Sequence, residues 1–525
     1  MSGVIFGTRV MNLSEDDSKS VVGLLADLNT SYPDNTAVEI LNTKNGDSVF
    51  YSAEQLVSDC LALCSVFMSM SLHEKTVAIV GKNSYNWLVS YLACACAGVR
   101  ALIIDPQASQ YLMLQQMKLA EVKLIICDSK CIGPVPFVDS VITLDEKNDY
   151  LSKGCISALI KTGMGMLENG YLPFENFNRR AKAITHIAFD SGVYGAEKAV
   201  TLSSRNVYEQ AVNAGDMLCS GKKVLITENF SNSRSIICAL SAVAMGKCLC
   251  IGEGDVYNDA KNSNADLIAA PPAVIKELYT DMWRDAQAKS VSGKLERCIR
   301  TSIAFSKAFL SFGVFARRFA ERELGMRVKR IVCFGSNIDE EILYGLSMLG
   351  IKINCVYEVP ECGIITSRKV RRGRLSYFDS PLDGVFLKID KAGQLLVRSD
   401  ACMSGYLGEG NLPDYWVETG DKAEFLKNGR ISISNDPNEV VITEYGKRIF
   451  ISQLSEKVKK LIPYASSIAI EAKDGGITLR ISFDSRFMRI SSDSGIRDLV
   501  ETSVYSVNNR LCRHELITDI VIENI

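Results

Sequence analysis

Apolar residues recur at Leu56, Cys60, Leu63 and Phe67 within SAEQLVSDCLALCSVFMSMSL, the spacing of a single helix face. The β-branched run KTVAIVGK predicts a strand, SYNWLVSYLACACAG returns to helical spacing, and RALIID reads as a strand again. QYLMLQQMKLAEV and KLIICD repeat the scheme, and the alternation returns over residues 229–351, as in IICALSAVAMG followed by KCLCIG. Strand and helix alternating at this distance predict parallel sheet covered by helices. From Arg374 the texture changes: GVFLKID, GQLLVRS, AEFL and GRISIS are short alternating runs, predicting a small antiparallel or barrel-like piece. After the polar break ISNDPNE come strand VVIT, helix ISQLSEKVKKLI, strands SSIAIEA and ITLRISF, helix SGIRDLVETSVYSVNNRL and strand ITDIVIE. A boundary at Asn435–Asn438 divides the chain into residues 1–434 and 435–525.

Composition narrows the class. A chain of 525 residues exceeds one ordinary domain, and 47% hydrophobic with 23% charged residues is a soluble globular mix. A net charge of −2 argues against a nucleic-acid partner. The N-terminus lacks the apolar core of a secretory signal, and the greasiest stretch, WLVSYLACACAGVRALIID, is broken by Arg100, so no transmembrane segment and a cytoplasmic location are expected. Seventeen cysteines lie scattered in apolar segments without a CxxC pair, and there are three histidines, so no zinc set is expected. Buried, reduced thiols acting as small hydrophobes are the expectation. His186 reads as a structural histidine with no serine or carboxylate partner in view, and His73 and His514 as surface residues.

One stretch bears on chemistry. HIAFDSGVYGAEKAVTLSSRNV places Ser191, Gly192 and Gly195 in a tight turn before Lys198, a composition suited to cradling phosphate. The same loop carries Asp190 and Glu197. At an effective dielectric near 20, like charges about 4 Å apart cost roughly 4 kcal/mol, more than an ordinary hydrogen bond returns.

Together with KTVAIVGKNSYNWLVSYLACACAGVRALIIDP, the run from IRTSIAFSKAFL to NCVYEVPECGIIT, GQLLVRSDACMSGYL and YWVETGDKAEFLKNGRISIS, this stretch resembles the adenylate-forming (AMP-binding) superfamily, and its long-chain fatty acyl-CoA ligases in particular. The resemblance covers nearly the whole chain. It implies an α/β fold: a large N-terminal domain of two parallel-sheet subdomains plus a small β-barrel, and a small α+β C-terminal lid. It also implies a reaction in which a carboxylate attacks the α-phosphate of ATP and a thiol, from coenzyme A or a carrier protein, then displaces AMP.

By the same resemblance, Ser191, Gly192, Gly195 and Lys198 form the phosphate loop, and Gly335 and Ser336 the small-residue step beside adenine. Tyr357 covers adenine, Glu361 is the carboxylate associated with magnesium, and Asp421, in the turn ETGD, binds ribose. Lys198 and Glu361 are the catalytic candidates. Departures from the pattern accumulate. Val193 and Tyr194 replace hydroxyl residues, Glu358 replaces a glycine and Pro360 a threonine, and Asp436 stands where an arginine is expected. No lysine follows Lys473, so the C-terminal unit reads as truncated before the catalytic-lysine loop, with no cation reaching the site from that end.

The expectation is an acyl-CoA ligase-like pseudoenzyme with lost or strongly reduced adenylation, binding an acyl chain, a nucleotide or a protein such as a partner ligase. The alternatives are an active, divergent AMP-forming carboxylate ligase using ATP and magnesium, or a ligand-free interaction scaffold.

Overall fold

The computed structural model describes residues 3–6, 9–12, 15–42, 48–129, 138, 140–145, 152–171, 180–189, 198–218, 221–307, 313–335, 338–371, 374–375, 380–409, 416–426, 430–434, 440–443, 445–473, 476–483 and 493–523. Among these, two large sheets carry the N-terminal part. Sheet I has eight strands, and its order runs from Gly405–Tyr406 through Val200–Ser203, Ile184–Ala188, Arg100–Ile104, Thr76–Val80, Val122–Cys127 and Val141–Thr143 to Ser152–Cys155. From Ile184–Ala188 onward the strands are parallel, whereas Val200–Ser203 and Gly405–Tyr406 are antiparallel to their neighbours.

Sheet II places Leu267–Ala270, Lys223–Ile226, Cys248–Ile251 and Thr36–Ile40 side by side in parallel, with Arg330–Phe334 and Lys352–Val359 continuing the run on the other side of Leu267–Ala270. Gly363–Arg371 returns antiparallel.

Local sequence explains these elements. Ser52 caps helix Ala53–Ser69 by accepting from the Gln55 N–H, and Leu56, Cys60, Leu63 and Phe67 on its predicted face are fully buried. Ser84 does the same for helix Tyr85–Cys96 through the Trp87 N–H. Both faces of Thr76–Val80 are covered, so its apolar run is continuous rather than alternating. No helix among the described residues is long and apolar enough to cross a membrane.

Sheet III is antiparallel, in the order Phe386–Ile389, Gln394–Arg398, Val417–Phe425, Ile431–Ser434. The third strand is longer than AEFL alone predicts, and Gly420–Asp421 lie inside it rather than in a turn. Gly420 has φ 75°, beside a register shift opposite Gln394–Leu396, so a left-handed glycine within the strand aims Asp421 inward.

The C-terminal elements follow the pattern read from the sequence: helices Ile451–Leu461 and Asp493–Asn508 with strands Ser467–Lys473, Gly476–Ser482 and Ile517–Glu523. One strand was not foreseen. Arg448–Phe450 pairs with Val440–Ile442 in a hairpin whose turn points into the N-terminal part.

Candidate nucleotide site

Three elements converge at the end of Lys352–Val359. Tyr357 donates its hydroxyl to Asp421 Oδ2 at 2.6 Å. Arg448, from the C-terminal hairpin, reaches the same oxygen at 2.9 Å with Nη2, donates to the Glu358 carbonyl at 3.1 Å, and lies 5.4 Å from the Tyr357 ring centroid. Asp421 is fully buried and Arg448 nearly so. Burial works against the Arg448 charge, but Asp421, with Tyr357, Glu358 and Glu361 around it, outweighs burial and raises its pKa. Burial, then the Asp421 charge, drives the Tyr357 phenol well above its usual value. Asp421 Oδ1 and Arg448 Nε are buried without a hydrogen-bond partner. A cation therefore does enter from the C-terminal part, contrary to the sequence expectation, but it comes from strand Arg448–Phe450.

A second arginine joins the same region. Arg234, in the first turn of helix Ser233–Ala244, grips Glu228 with two bonds, Nε to Oε2 at 2.7 Å and Nη2 to Oε1 at 2.6 Å. It also reaches Glu358 Oε1 at 3.0 Å and the Tyr445 carbonyl at 2.6 Å, and packs 5.2 Å from the Phe334 ring centroid. Glu358, which stands where the resemblance leads one to expect glycine, is thus held by a buried ion pair. The fork geometry of a guanidinium is what allows one side chain to bind two carboxylates and a carbonyl.

Glu361 and Lys198 form a third group, around Tyr406. Glu361 is fully buried; its carboxylate accepts from the Tyr406 hydroxyl at 3.1 Å and its carbonyl from the Met403 N–H at 2.6 Å. Lys198 pairs with Glu409 at 2.5 Å and lies 5.2 Å from the Tyr406 ring centroid. Tyr406 thus stands between the two catalytic candidates. Beside these groups, a cavity of about 770 Å³ opens between the C-terminal hairpin turn and the N-terminal loops, lined among others by Lys82, Asp128, Asn229, Tyr445, Lys447 and Arg513.

The model of the family described as AMP-binding enzyme matches residues 26–407. The chain belongs to the AMP-binding family. It is 20% identical to long chain acyl-CoA synthetase 5 of Arabidopsis thaliana, over 92% of this chain and 80% of that protein. It is also 20% identical to the octapeptide-repeat antigen of Plasmodium falciparum (isolate NF7 / Ghana), over 71% of this chain and 66% of that protein, just under two thirds of its length. Its fold is similar to that of the o-succinylbenzoate CoA synthetase of Bacillus subtilis bound with a product analogue, with a TM-score of 0.68, 14% identity, and 96% and 94% of the two chains covered.

Within this AMP-binding fold, Tyr357, Asp421, Glu361, Lys198 and Gly335 are described, and the first two are in direct contact. Ser191, Gly192, Gly195 and Ser336 lie outside the described residues, as do Asp190, Val193, Tyr194, Glu197 and Asp436. Sequence reasoning missed Arg234, Tyr406 and Arg448. Tyr406 stands inside SGYL and Arg234 inside TENFSNSRS, so a local signal was present at those two and not at Arg448.

His186 is corrected too. It is buried mid-strand, with Nδ1 2.9 Å from the Tyr91 hydroxyl and Nε2 3.1 Å from Ser233 Oγ, so it does have a serine partner. Both members of that pair are buried. His73 and His514 are half-buried rather than surface residues.

Gly335 has φ 113° and sits against the hairpin turn, where a Cβ on it would lie 3.7 Å from Gly446 Cα. Gly446 has φ 70°, and its own Cβ would come within 2.7 Å of the Phe334 carbonyl oxygen. Gly446→Ala is therefore expected to lift the hairpin turn off the N-terminal part. Limited proteolysis should then cut the variant several times faster within residues 435–447, and an unchanged rate would show that the close approach does not hold the turn.

Proposed function

We propose that this family member is an acyl-CoA synthetase-like protein whose adenylation activity is strongly reduced because its own Arg448 occupies the nucleotide subsite. The observation that carries this reading is the Arg448 guanidinium set over Tyr357 and bound to Asp421. A planar cation on the ring face takes the position a base would stack on, and it uses one oxygen of the carboxylate that would hold ribose. Acidic residues in the phosphate loop add to the barrier. In this reading Ser191, Gly192, Gly195, Ser336 and Lys198 retain the outline of the phosphate and adenine contacts, and residues 435–525 form the lid.

The acyl substrate class is a carboxylate of fatty-acid type, by analogy with the acyl-CoA synthetase relative. The cavity beside the hairpin suits a second substrate bearing a thiol, coenzyme A or a carrier-protein arm. Glu361 fits a magnesium ion as the single protein carboxylate of a site completed by nucleotide phosphates. When bound, that ion would neutralise phosphate charge.

One observation favours an enzyme that still turns over: the unsatisfied, buried Asp421 Oδ1 is placed to accept from a ribose hydroxyl. Incubation with ATP, magnesium, fatty acids and hydroxylamine separates the readings. Acyl-hydroxamate at the protein-free blank, with AMP binding weaker than micromolar by calorimetry, is expected. Micromolar ATP affinity together with hydroxamate formation would overturn the proposal.

A further inference from the structure

A cluster away from the nucleotide residues has the chemistry of a metal site. Cys248 and Cys250 alternate on strand Cys248–Ile251, so their thiols share one face of sheet II. In the parallel register, Cys250 stands opposite Glu39 on one neighbouring strand and Cys248 opposite Lys223 on the other. Cys250 is 0%, Glu39 2% and Cys248 7% exposed. The two sulfurs and a Glu39 carboxylate oxygen lie within 4.8 Å of one another. Glu39 Oε2 is 3.5 Å from Cys250 Sγ and 4.0 Å from Cys248 Sγ. Lys223 Nζ donates to Glu39 Oε2 at 2.7 Å and to the Ser263 carbonyl at 3.0 Å.

We propose that Cys248, Cys250 and Glu39 form a binding site for a thiophilic divalent cation, zinc(II), with Lys223 as its outer partner. Geometry supports this. A tetrahedral zinc with sulfur at about 2.3 Å and carboxylate oxygen at about 2.0–2.2 Å has an oxygen-to-sulfur edge of about 3.5–3.7 Å, which matches the 3.5 Å to Cys250 Sγ and is a little shorter than the 4.0 Å to Cys248 Sγ. Charge supports it as well. Binding releases the two thiol protons, and the resulting two thiolates and one carboxylate are balanced by zinc and the Lys223 ammonium together. A carboxylate oxygen has lone pairs enough to ligate a metal while accepting from lysine, and ligating carboxylates are ordinarily held by such a donor. The Lys223 side chain is one-third exposed, so water can enter beside it to complete the coordination. The sequence alone argued against a zinc set because it held no CxxC pair; the third ligand comes from a strand about two hundred residues earlier.

Titration of metal-free, full-length protein with cobalt(II), as a spectroscopic substitute for zinc, tests the site. Intense visible bands of tetrahedral cobalt with thiolate-to-cobalt absorption in the near ultraviolet are expected, displaced by zinc. Cys248→Ser combined with Cys250→Ser should abolish them, and Lys223→Met should weaken affinity by roughly 10–100-fold. Because buried serines can disturb folding, alkylation of the unaltered protein supplies a second readout: zinc should slow modification of Cys248 and Cys250 at least tenfold, measured by mass spectrometry. Equal alkylation rates with and without zinc, or thiolate bands that persist in the double variant, would overturn the proposal.

Discussion

Arg448→Met is expected to raise affinity for AMP by about tenfold or more while lowering the stability of the protein. The gain follows from freeing the Tyr357 face, where a desolvated guanidinium–aromatic contact is worth up to about 2 kcal/mol, and about 1.4 kcal/mol corresponds to a tenfold change in binding. The loss follows from Asp421, which is fully buried and would keep only the Tyr357 hydroxyl as a partner. Removing one member of a buried ion pair costs about 3–5 kcal/mol, much of it from the charge left behind. Calorimetry with AMP and thermal unfolding read the two effects separately. Arg448→Met combined with Asp421→Asn should recover stability without recovering AMP binding, since the carboxylate that would meet ribose is gone. A single variant that binds AMP no better than the parent would remove Arg448 as the obstacle, whatever its melting temperature.

Arg234→Met should be the most damaging single change in the same region. Its guanidinium serves Glu228, Glu358 and the Tyr445 carbonyl, and its side chain is 4% exposed. Two carboxylates would be left without their cation, at a cost of about 3–5 kcal/mol for breaking such a pair. The hairpin turn would lose its bond through Tyr445, so proteolytic release of the C-terminal elements should accompany the fall in melting temperature. Arg234→Lys should rescue only part, because an ammonium cannot reproduce the forked contacts. Arg234→Met with Glu228→Gln and Glu358→Gln should be more stable than Arg234→Met alone; the reverse order would show that packing on Phe334, not charge, sets the penalty.

Much of the fold was legible because it rests on local rules. The helix face at Leu56, Cys60, Leu63 and Phe67 is buried as its spacing requires, and serines at 52 and 84 start their helices. The parallel runs and the C-terminal alternation likewise follow from period. The nucleotide candidates were legible to a lesser degree. Tyr357 and Asp421 meet, but their meeting depends on a left-handed Gly420 inside a strand, where ETGD reads as a turn. Glu358 read only as a replaced glycine and Asp421 only as a ribose ligand, because charge compensation by a distant residue leaves no mark in local pattern. Their partners, Arg234 and Arg448, lie 124 positions before Glu358 and 27 after Asp421.

Taken alone, the order of strands, helices and motifs along the chain determined the architecture and its family, since periodicity and turn chemistry act over a few residues. Only the tertiary structure decided which charges neutralise one another and which side chains share a face. It set Arg448 against Asp421 and Tyr357, Arg234 between Glu228 and Glu358, and Glu39 beside Cys248 and Cys250. The physical reason is that electrostatic and coordination energies depend on distance in space, and neighbouring strands of a parallel sheet come from segments far apart in the chain.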